Sequence, residues 1–583
     1  MDKTLSARLR RRLSDLRRQL SYLNALPQLT ILGTLAGIAA ACVIIAFRFA
    51  MDAPLIAWLG SADGFESLSQ LERFLLPAAG ALVIGVGLQL LPDRILKVGV
   101  GHVLDRIHNH QGHLPWPNFL VQFVAGVTLL MSGQSVGREG PAVHLGAGAG
   151  SLLGQALKIP NNSMRVVVAA GVGAAISAAF NTPLAGVVFA MEVVLMEYSI
   201  AGFIPIIMAS FAGSLLSQVA FGTAPVFTVH TVSLAALSEL PYLMLAGVAI
   251  GLVAITYSYL LTLGHRVSQV PVSVRVTLAG IFTGGVAVFV PQVLGMGYDT
   301  LAQAMEGNIA IKLLLVILVC KLLTTGVSIS AGMPGGLIGP TIFIGGLVGA
   351  ALGVGSAWIH DGDASDPGFY VLLGMAATLG SVLNAPLTAL ITILELTANP
   401  NIIFPSMLVV VISCLCTRIF MGDKGIFLIM LKQQGRRIKS SGLTSELSRV
   451  GVFQVATTSF VRSRGKLDYD QARALLEDKP TWIVLAELDK PKRLIKAADL
   501  AKFLESAPEK ILTLEEEIDL QELPGDQTLL PPIHEQATLL EAHLLMKTES
   551  TDAVYVQNPR PFALETEVMG IVTREAVTNY YSV

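Results

Sequence analysis

The sequence predicts an all-α polytopic membrane protein, built from two repeated halves with many partial, tilted helices and followed by a small α/β region. Three observations predict it. The 583 residues are 53% hydrophobic and 14% charged, with mean hydropathy +0.64, a composition that excludes an ordinary soluble enzyme. Residues 171–192, GVGAAISAAFNTPLAGVVFAME, are echoed at 374–395, GMAATLGSVLNAPLTALITILE. The copies match at Gly171/Gly374, Ala174/Ala377, Asn181/Asn384, Pro183/Pro386, Leu184/Leu387 and Glu192/Glu395. Each copy follows a glycine-rich, proline-ended break in an apolar stretch, GREGP at 137–141 and GGLIGP at 335–340. Paired hydrophobic halves broken by Gly and Pro at corresponding places mark a repeat-built transporter or channel with its site near the bilayer midplane.

Along the chain, residues 1–27 come first. Leu5, Leu9, Leu13, Leu16, Leu20 and Leu23 draw one apolar stripe, with Arg8, Arg10, Arg11, Arg12, Arg17 and Arg18 on or beside the polar face. This predicts a basic amphipathic helix lying on the cytoplasmic membrane surface. The net charge of −2 gives no reason to expect nucleic acid as a partner. The apolar run after Pro27 is too long for a cleaved signal and lacks a small-residue cleavage site, so it is kept as a span. Apolar stretches follow near 28–50, 73–91, 118–132, 141–157, 164–180, 184–197 and 203–221. The second half repeats the pattern near 239–264, 275–294, 309–328, 340–357, 368–380, 386–397 and 402–420. The membrane region is thus 28–433, in repeats of about 28–222 and 238–433. Several stretches fall short of the roughly 20 residues that cross a bilayer, and such pieces survive at membrane depth only where protein or a wet cavity satisfies their backbone.

Apolarity ends near 431, and Lys432, Arg436, Arg437 and Lys439 mark a cytoplasmic edge. Both termini are expected in the cytoplasm, with an even number of crossings of a cell (inner) membrane. Residues 445–583 read as a separate domain, divided by the charged stretch at 514–527. Each half carries a strand-and-helix pattern, at 481–488 with 493–504 and at 552–557 with 569–581. Cys42, Cys320, Cys414 and Cys416 sit in apolar stretches without metal-ligand spacing and are expected as buried free thiols.

The breaks suit an anion. Proline is favoured at the first helical position, so Pro141 and Pro340 are expected to open helices whose unpaired N–H groups and positive dipole end face the break. A helix N-terminus is an anion site by construction. A third glycine pair, Gly99 and Gly101, offers another such backbone, and three converging breaks would bind a small anion weakly enough for fast release. Glu139 is then the sharpest residue: its carboxylate can occupy the anion site and leave on protonation or competition, although an ion pair with Arg138 would be a purely structural alternative. Intramembrane ionisable residues lean functional. Glu192 and Glu395 hold equivalent places and are read first as bonding the backbone or capping a neighbour. His144 is expected to bond locally in its helix's first turn, and Lys321 to snorkel or to pair with a carboxylate. An intramembrane enzyme needs a nucleophile–base or metal set, and no HExxH, GxSxG or aspartate pair occurs in the apolar region. No metal and no catalytic residue are expected.

With GREGP followed by His144, and with NTPLAG and NAPLT, the sequence resembles the CLC chloride channel and transporter family over roughly 28–433. The resemblance implies a homodimer in membrane lipid with one anion path per subunit, two inverted repeats, and Glu139 as the gate. It places the chloride-binding set on Gly99, Val100, Gly101, Arg138, Glu139, Gly140, Gly336, Leu337, Ile338, Gly339 and Phe427. The chain departs from the family's motifs. Val100 replaces the filter serine, Ile338 the filter phenylalanine, and Phe427 the inner-gate tyrosine, so a central site without hydroxyls would rely on backbone N–H groups. Val193 stands where the proton-coupled members carry a second glutamate. Passive, channel-like conduction is the first expectation, and proton-coupled antiport the alternative. Residues 445–583 resemble a pair of CBS domains. There Thr573 and Asp499 each retain part of a nucleotide-ribose signature, while Ala576 and Lys496 replace the complementary residues. Adenine nucleotide is the one cofactor this offers, and a dimerisation role stands beside it.

Overall fold

The computed structural model describes residues 19–20, 25–223, 227, 232–360, 364–436, 438, 446–487, 490–506, 517–557 and 568–582. The expected basic helix on 1–27 lies outside the described residues, save 19–20 and 25–27. The chain forms two compact units, one of 29–156 with 165–438, the other of 439–583 with 1–28 and 157–164.

The larger unit is all helix. Its elements are α1 (Leu26–Leu59), α2 (Gln70–Gln89), α3 (Gly99–Asn109), α4 (Trp116–Met131), α5 (Glu139–Leu157), α6 (Asn161–Phe180), α7 (Pro183–Phe189), α8 (Ile200–Phe221) and α9 (Leu240–Thr262). There follow α10 (Val272–Phe289), α11 (Tyr298–Met305), α12 (Ile311–Ser330), α13 (Ile338–His360), α14 (Pro367–Leu383), α15 (Pro386–Thr397), α16 (Ile403–Met421) and α17 (Ile426–Gln433). Among the described residues nine helical stretches are long and apolar enough to cross a membrane. The helices at 116–131, 183–195, 367–383 and 386–397 are shorter. Hydropathy located most spans, but it missed α3, α11 and α17, which are too short and too mixed to register as apolar runs.

The run α4–α8 recurs as α12–α16, and the echoed residues do the same work in both copies. A Cβ on Gly171 would collide with the Gly146 carbonyl, and one on Gly374 with the Gly345 carbonyl, so these glycines let α5 and α6, and likewise α13 and α14, meet at backbone distance. Asn181 and Asn384 end α6 and α14 in the left-handed region, at φ 59° and 54°, a helix stop that asparagine tolerates. Pro183 and Pro386 then open α7 and α15. Glu395, late in α15, accepts the Leu184 and Ala185 N–H groups at 2.9 and 2.7 Å. Glu192, just past α7, accepts those of Leu387 and Thr388 at 3.3 and 2.7 Å. Each glutamate therefore caps the other repeat's helix, satisfying orphan donors that its own chain cannot. Because the end of each segment meets the start of the other, α7 and α15 run antiparallel, and the repeats are inverted.

The smaller unit is α/β. It contains β1 (Phe460–Ser463), β2 (Lys466–Leu467), α18 (Tyr469–Glu477), β3 (Trp482–Glu487), β4 (Lys490–Lys496), α19 (Ala497–Glu505), β5 (Ile518–Asp519), β6 (Thr528–Leu529), β7 (Pro532–His534), α20 (Leu539–Thr548), β8 (Ala553–Gln557), β9 (Val568–Thr573) and α21 (Arg574–Ser582). Its sheets run β1-β3-β4-β6 and β7-β8-β9, with a β2-β5 pair beside them. In each larger sheet one parallel pair adjoins antiparallel ones. Separate cores support them, around Ile483, Ile495 and Leu500 in one half and Val554, Val556 and Leu539 in the other. The parallel partners β1 and β7 carry too little apolar pattern to be read from sequence.

Candidate functional site

The backbone builds the site first. Gly137 and Gly336 exchange two hydrogen bonds, each of 2.7 Å, across an isolated antiparallel bridge. The bridge pins the two breaks together, so that α5 and α13 start side by side. Glycine is required there, since a Cβ on Gly140 would stand 2.6 Å from the Gly336 Cα. The helices begin at Glu139 and Ile338, two residues before the prolines expected to open them. Pro141 and Pro340 still cost nothing, because N–H groups throughout the first turn have no intrahelical partner.

Glu139 is fully buried. Its carboxylate accepts the Gly339 N–H at 3.0 Å, and the Tyr298 hydroxyl stands 3.5 Å from its other oxygen. The side chain at the start of one repeat's helix therefore meets the N-terminus of the other's, the kind of place that suits an anion. Among the described ion pairs none joins Arg138 to Glu139. The Arg138 guanidinium lies over Phe180 and Tyr298, 5.4 and 5.9 Å from the ring centroids.

Sequence reasoning missed Tyr298, which is held from both sides of its turn. Asp63 accepts the Met296 and Tyr298 N–H groups at 3.1 and 3.0 Å. Lys321 donates to the Val293 and Gly295 carbonyls at 2.9 and 2.8 Å. Lys321, expected to snorkel or to pair with a carboxylate, bonds carbonyls instead, and among the described ion pairs none includes it. It is fully buried, and carbonyls of the segment between α10 and α11 take the place of a carboxylate.

A cavity of about 730 Å³ opens beside this junction. It is lined by Gly99, Val100 and Gly101 at the start of α3, by Gly140, Gly336 and Leu337, and by Phe427 in the first turn of α17. Lys97, Arg275 and Arg436 give it a cationic margin, which favours anion entry. All three glycine breaks thus share one cavity. Glu139, Ile338 and Gly339 lie behind its wall, and Arg138 is not in its lining. His144 does not bond locally: it reaches Gly99, Gln122 and His102, from 22 to 45 residues away, because α5 packs between the elements that carry them. Val193 is buried in a π-helical turn, Ala190–Leu195, a feature common at functional sites. The adjoining Val194 carbonyl accepts from His108 Nε2 at 2.9 Å. In the smaller unit the Thr573 hydroxyl accepts the Ala576 N–H at 3.2 Å and so caps α21, while Asp499 sits in the first turn of α19, against Gly525. The two belong to different halves of the unit.

Inverted repeats that aim broken-helix N-termini at a buried carboxylate define a membrane protein of the anion-passing class. Residues 80–418 match the family model for voltage gated chloride channels, and the chain belongs to that family, the CLC family. It is 32% identical over 390 residues to a putative chloride channel protein ClcB-like of Ralstonia nicotianae, covering 64% of this chain and 90% of that one. It is 30% identical over 333 residues to an H(+)/Cl(−) exchange transporter ClcA of Citrobacter koseri, covering 54% and 69%. Among solved structures, a slow cyanobacterial Cl⁻/H⁺ antiporter superposes with TM-score 0.63 at 20% identity, over 70% of this chain and 97% of that one. A eukaryotic CLC transporter superposes with TM-score 0.59 at 16% identity over 95% and 99%. These last two likenesses concern the fold.

Proposed function

We propose that this protein exchanges a small anion, with chloride the first candidate, for protons, and that Glu139 serves both ions in turn. The observation that carries the reading is the Glu139 carboxylate bonded to the Gly339 N–H at the shared N-terminus of two helices. A carboxylate lodged there must leave before an anion can pass, and protonation is what weakens its hold on an N–H donor and a positive dipole end. The anion takes the vacated donors, and the protonated side chain carries its proton to the other side. The exchange transporters among the relatives support the same direction. Further parts of the reading are a homodimer with one path per subunit, a cell (inner) membrane setting with both termini in the cytoplasm, and a regulatory CBS-like pair at 445–583. An adenine nucleotide is the ligand that Asp499 and Thr573 suggest for that pair.

One observation favours a second reading, passive conduction. Val193, buried and apolar, cannot carry a proton, and it stands where the family's coupled members have a glutamate. Paired chloride and proton fluxes from purified protein in liposomes decide between the two. Chloride-driven proton uptake against the proton gradient establishes exchange. Chloride efflux with no linked proton movement establishes a channel. If no anion moves, both readings fall.

A further inference from the structure

Gln122 is fully buried in α4. Its side-chain oxygen accepts the Gly99 N–H at 2.8 Å, and its amide nitrogen donates to the Pro334 carbonyl at 2.8 Å. Gly99 opens α3 and Pro334 lies in the segment before α13, and both line the cavity, so one side chain ties the two together. The amide has one allowed orientation. Turned over, its NH₂ would face the Gly99 N–H and its oxygen the Pro334 carbonyl.

That orientation fixes two histidines. His144 Nδ1 lies 3.1 Å from the same Gln122 oxygen. The Gly99 N–H also lies 3.1 Å from Nδ1, but it has the Gln122 oxygen as its nearer acceptor, and that oxygen can only accept, so Nδ1 carries the proton and Nε2 is the acceptor. Nε2 faces His102 Nδ1 at 3.4 Å, which must therefore be the N–H. His102 Nε2 is left as an acceptor, and it receives the Arg106 Nε–H at 3.1 Å. Donation runs one way along the whole series, from Arg106 through His102, His144 and Gln122 to Pro334. Each ring nitrogen has a partner of the right kind, the Gly99 N–H beside His144 Nδ1 being taken by the Gln122 oxygen, and His102 and His144 are both buried.

We propose that Gln122, His144 and His102 are positioning residues for the anion path. Their directed hydrogen-bond chain fixes the spacing between the start of α3 and the 334–337 segment and keeps the Gly99 N–H committed to Gln122 instead of the anion. Anion selectivity is then set partly by residues that never touch the anion. Breaking the chain releases the Gly99 N–H into the cavity and lets the two segments drift apart. The inference rests on the anion-transport reading.

The test is the nitrate-to-chloride and bromide-to-chloride permeability ratios of full-length protein in liposomes, for wild type, Gln122→Leu, His102→Leu and His102→Gln. Gln122→Leu and His102→Leu are expected to shift a ratio about threefold or more, the scale of one hydrogen bond's net worth. His102→Gln keeps both an acceptor and a donor and should return the ratio toward wild type, which a role in packing alone would not produce. If Gln122→Leu fails to fold, the two His102 variants decide. Wild-type ratios in folded, conducting Leu variants overturn the inference, as does an equal shift in His102→Leu and His102→Gln. If wild-type protein moves no anion, the transport reading itself has failed, which is a separate result.

Discussion

The two breaks at 137–141 and 335–340 share a backbone and differ in their side chains. Gly137 pairs with Gly336 across the bridge. In that register Arg138 corresponds to Leu337, Glu139 to Ile338, Gly140 to Gly339 and Pro141 to Pro340. Both helices offer an N-terminus to the same point, but only the first repeat places a titratable group there. Glu192 and Glu395 behave in the opposite way. They are the same residue in both repeats, and each makes the same kind of cap on the other. Where the repeats agree, the residues hold the fold; where they differ, one repeat alone supplies a titratable side chain, the switch of the proposed exchange.

The largest test of this contrast removes the switch. Glu139→Gln keeps the shape but replaces a charged acceptor, whose bond to the Gly339 N–H is worth about 1.5–3 kcal/mol, with a neutral one of about 1 kcal/mol. Anion flux should survive, rise by on the order of tenfold where the closed form now predominates, and lose its pH dependence. An inert variant that elutes as folded protein would count against the gate. The converse change, Ile338→Glu, makes the breaks alike. A second carboxylate at the same junction should cut anion flux about tenfold at neutral pH. The loss should recover as pH falls, because protonation removes the charge that competes with the anion. Flux at wild-type level across that pH range would mean the second N-terminus is not part of the path.

Smaller effects are expected where the repeats agree. Glu192→Gln and Glu395→Gln should each cost about 1.5–3 kcal/mol of stability, by similar amounts, measured as thermal unfolding in detergent. Neither should change the pH profile of flux, and a clear difference between them would break the symmetry argument. The smallest effect is expected at the cavity wall. Val100→Ser or Phe427→Tyr restores a hydroxyl where the family's motif has one, and one added hydrogen bond of about 1 kcal/mol should favour chloride over nitrate by a few fold.

Much of this was legible in the residues, for identifiable reasons. Glycine, proline and asparagine act through backbone geometry, so the echo of Gly171, Asn181 and Pro183 announced two related halves before any contact was known, while the close packing, helix stop and helix start it encodes came from the structure. Glu139 stood out because a carboxylate is costly in an apolar stretch unless it has a task. The partners were not legible. Lys321 was read through its own helix, yet it bonds carbonyls at Val293 and Gly295 on another element. His144 was assigned to its own turn, yet its partners are 22 to 45 residues away. Gln122 had a signal, a polar residue inside an apolar run, but nothing nearby indicated what it would tie together.

The sequence by itself determined a membrane protein of two related halves, the places where its helices break, and the one acid poised at a break, because hydropathy, backbone permissiveness and burial cost are properties of the residues themselves. Only the tertiary structure decided that each glutamate caps the other repeat, and that Tyr298, Gln122 and Lys321 hold the site. Those facts depend on which distant donor meets which acceptor, and only chain packing brings such groups within 3 Å of one another.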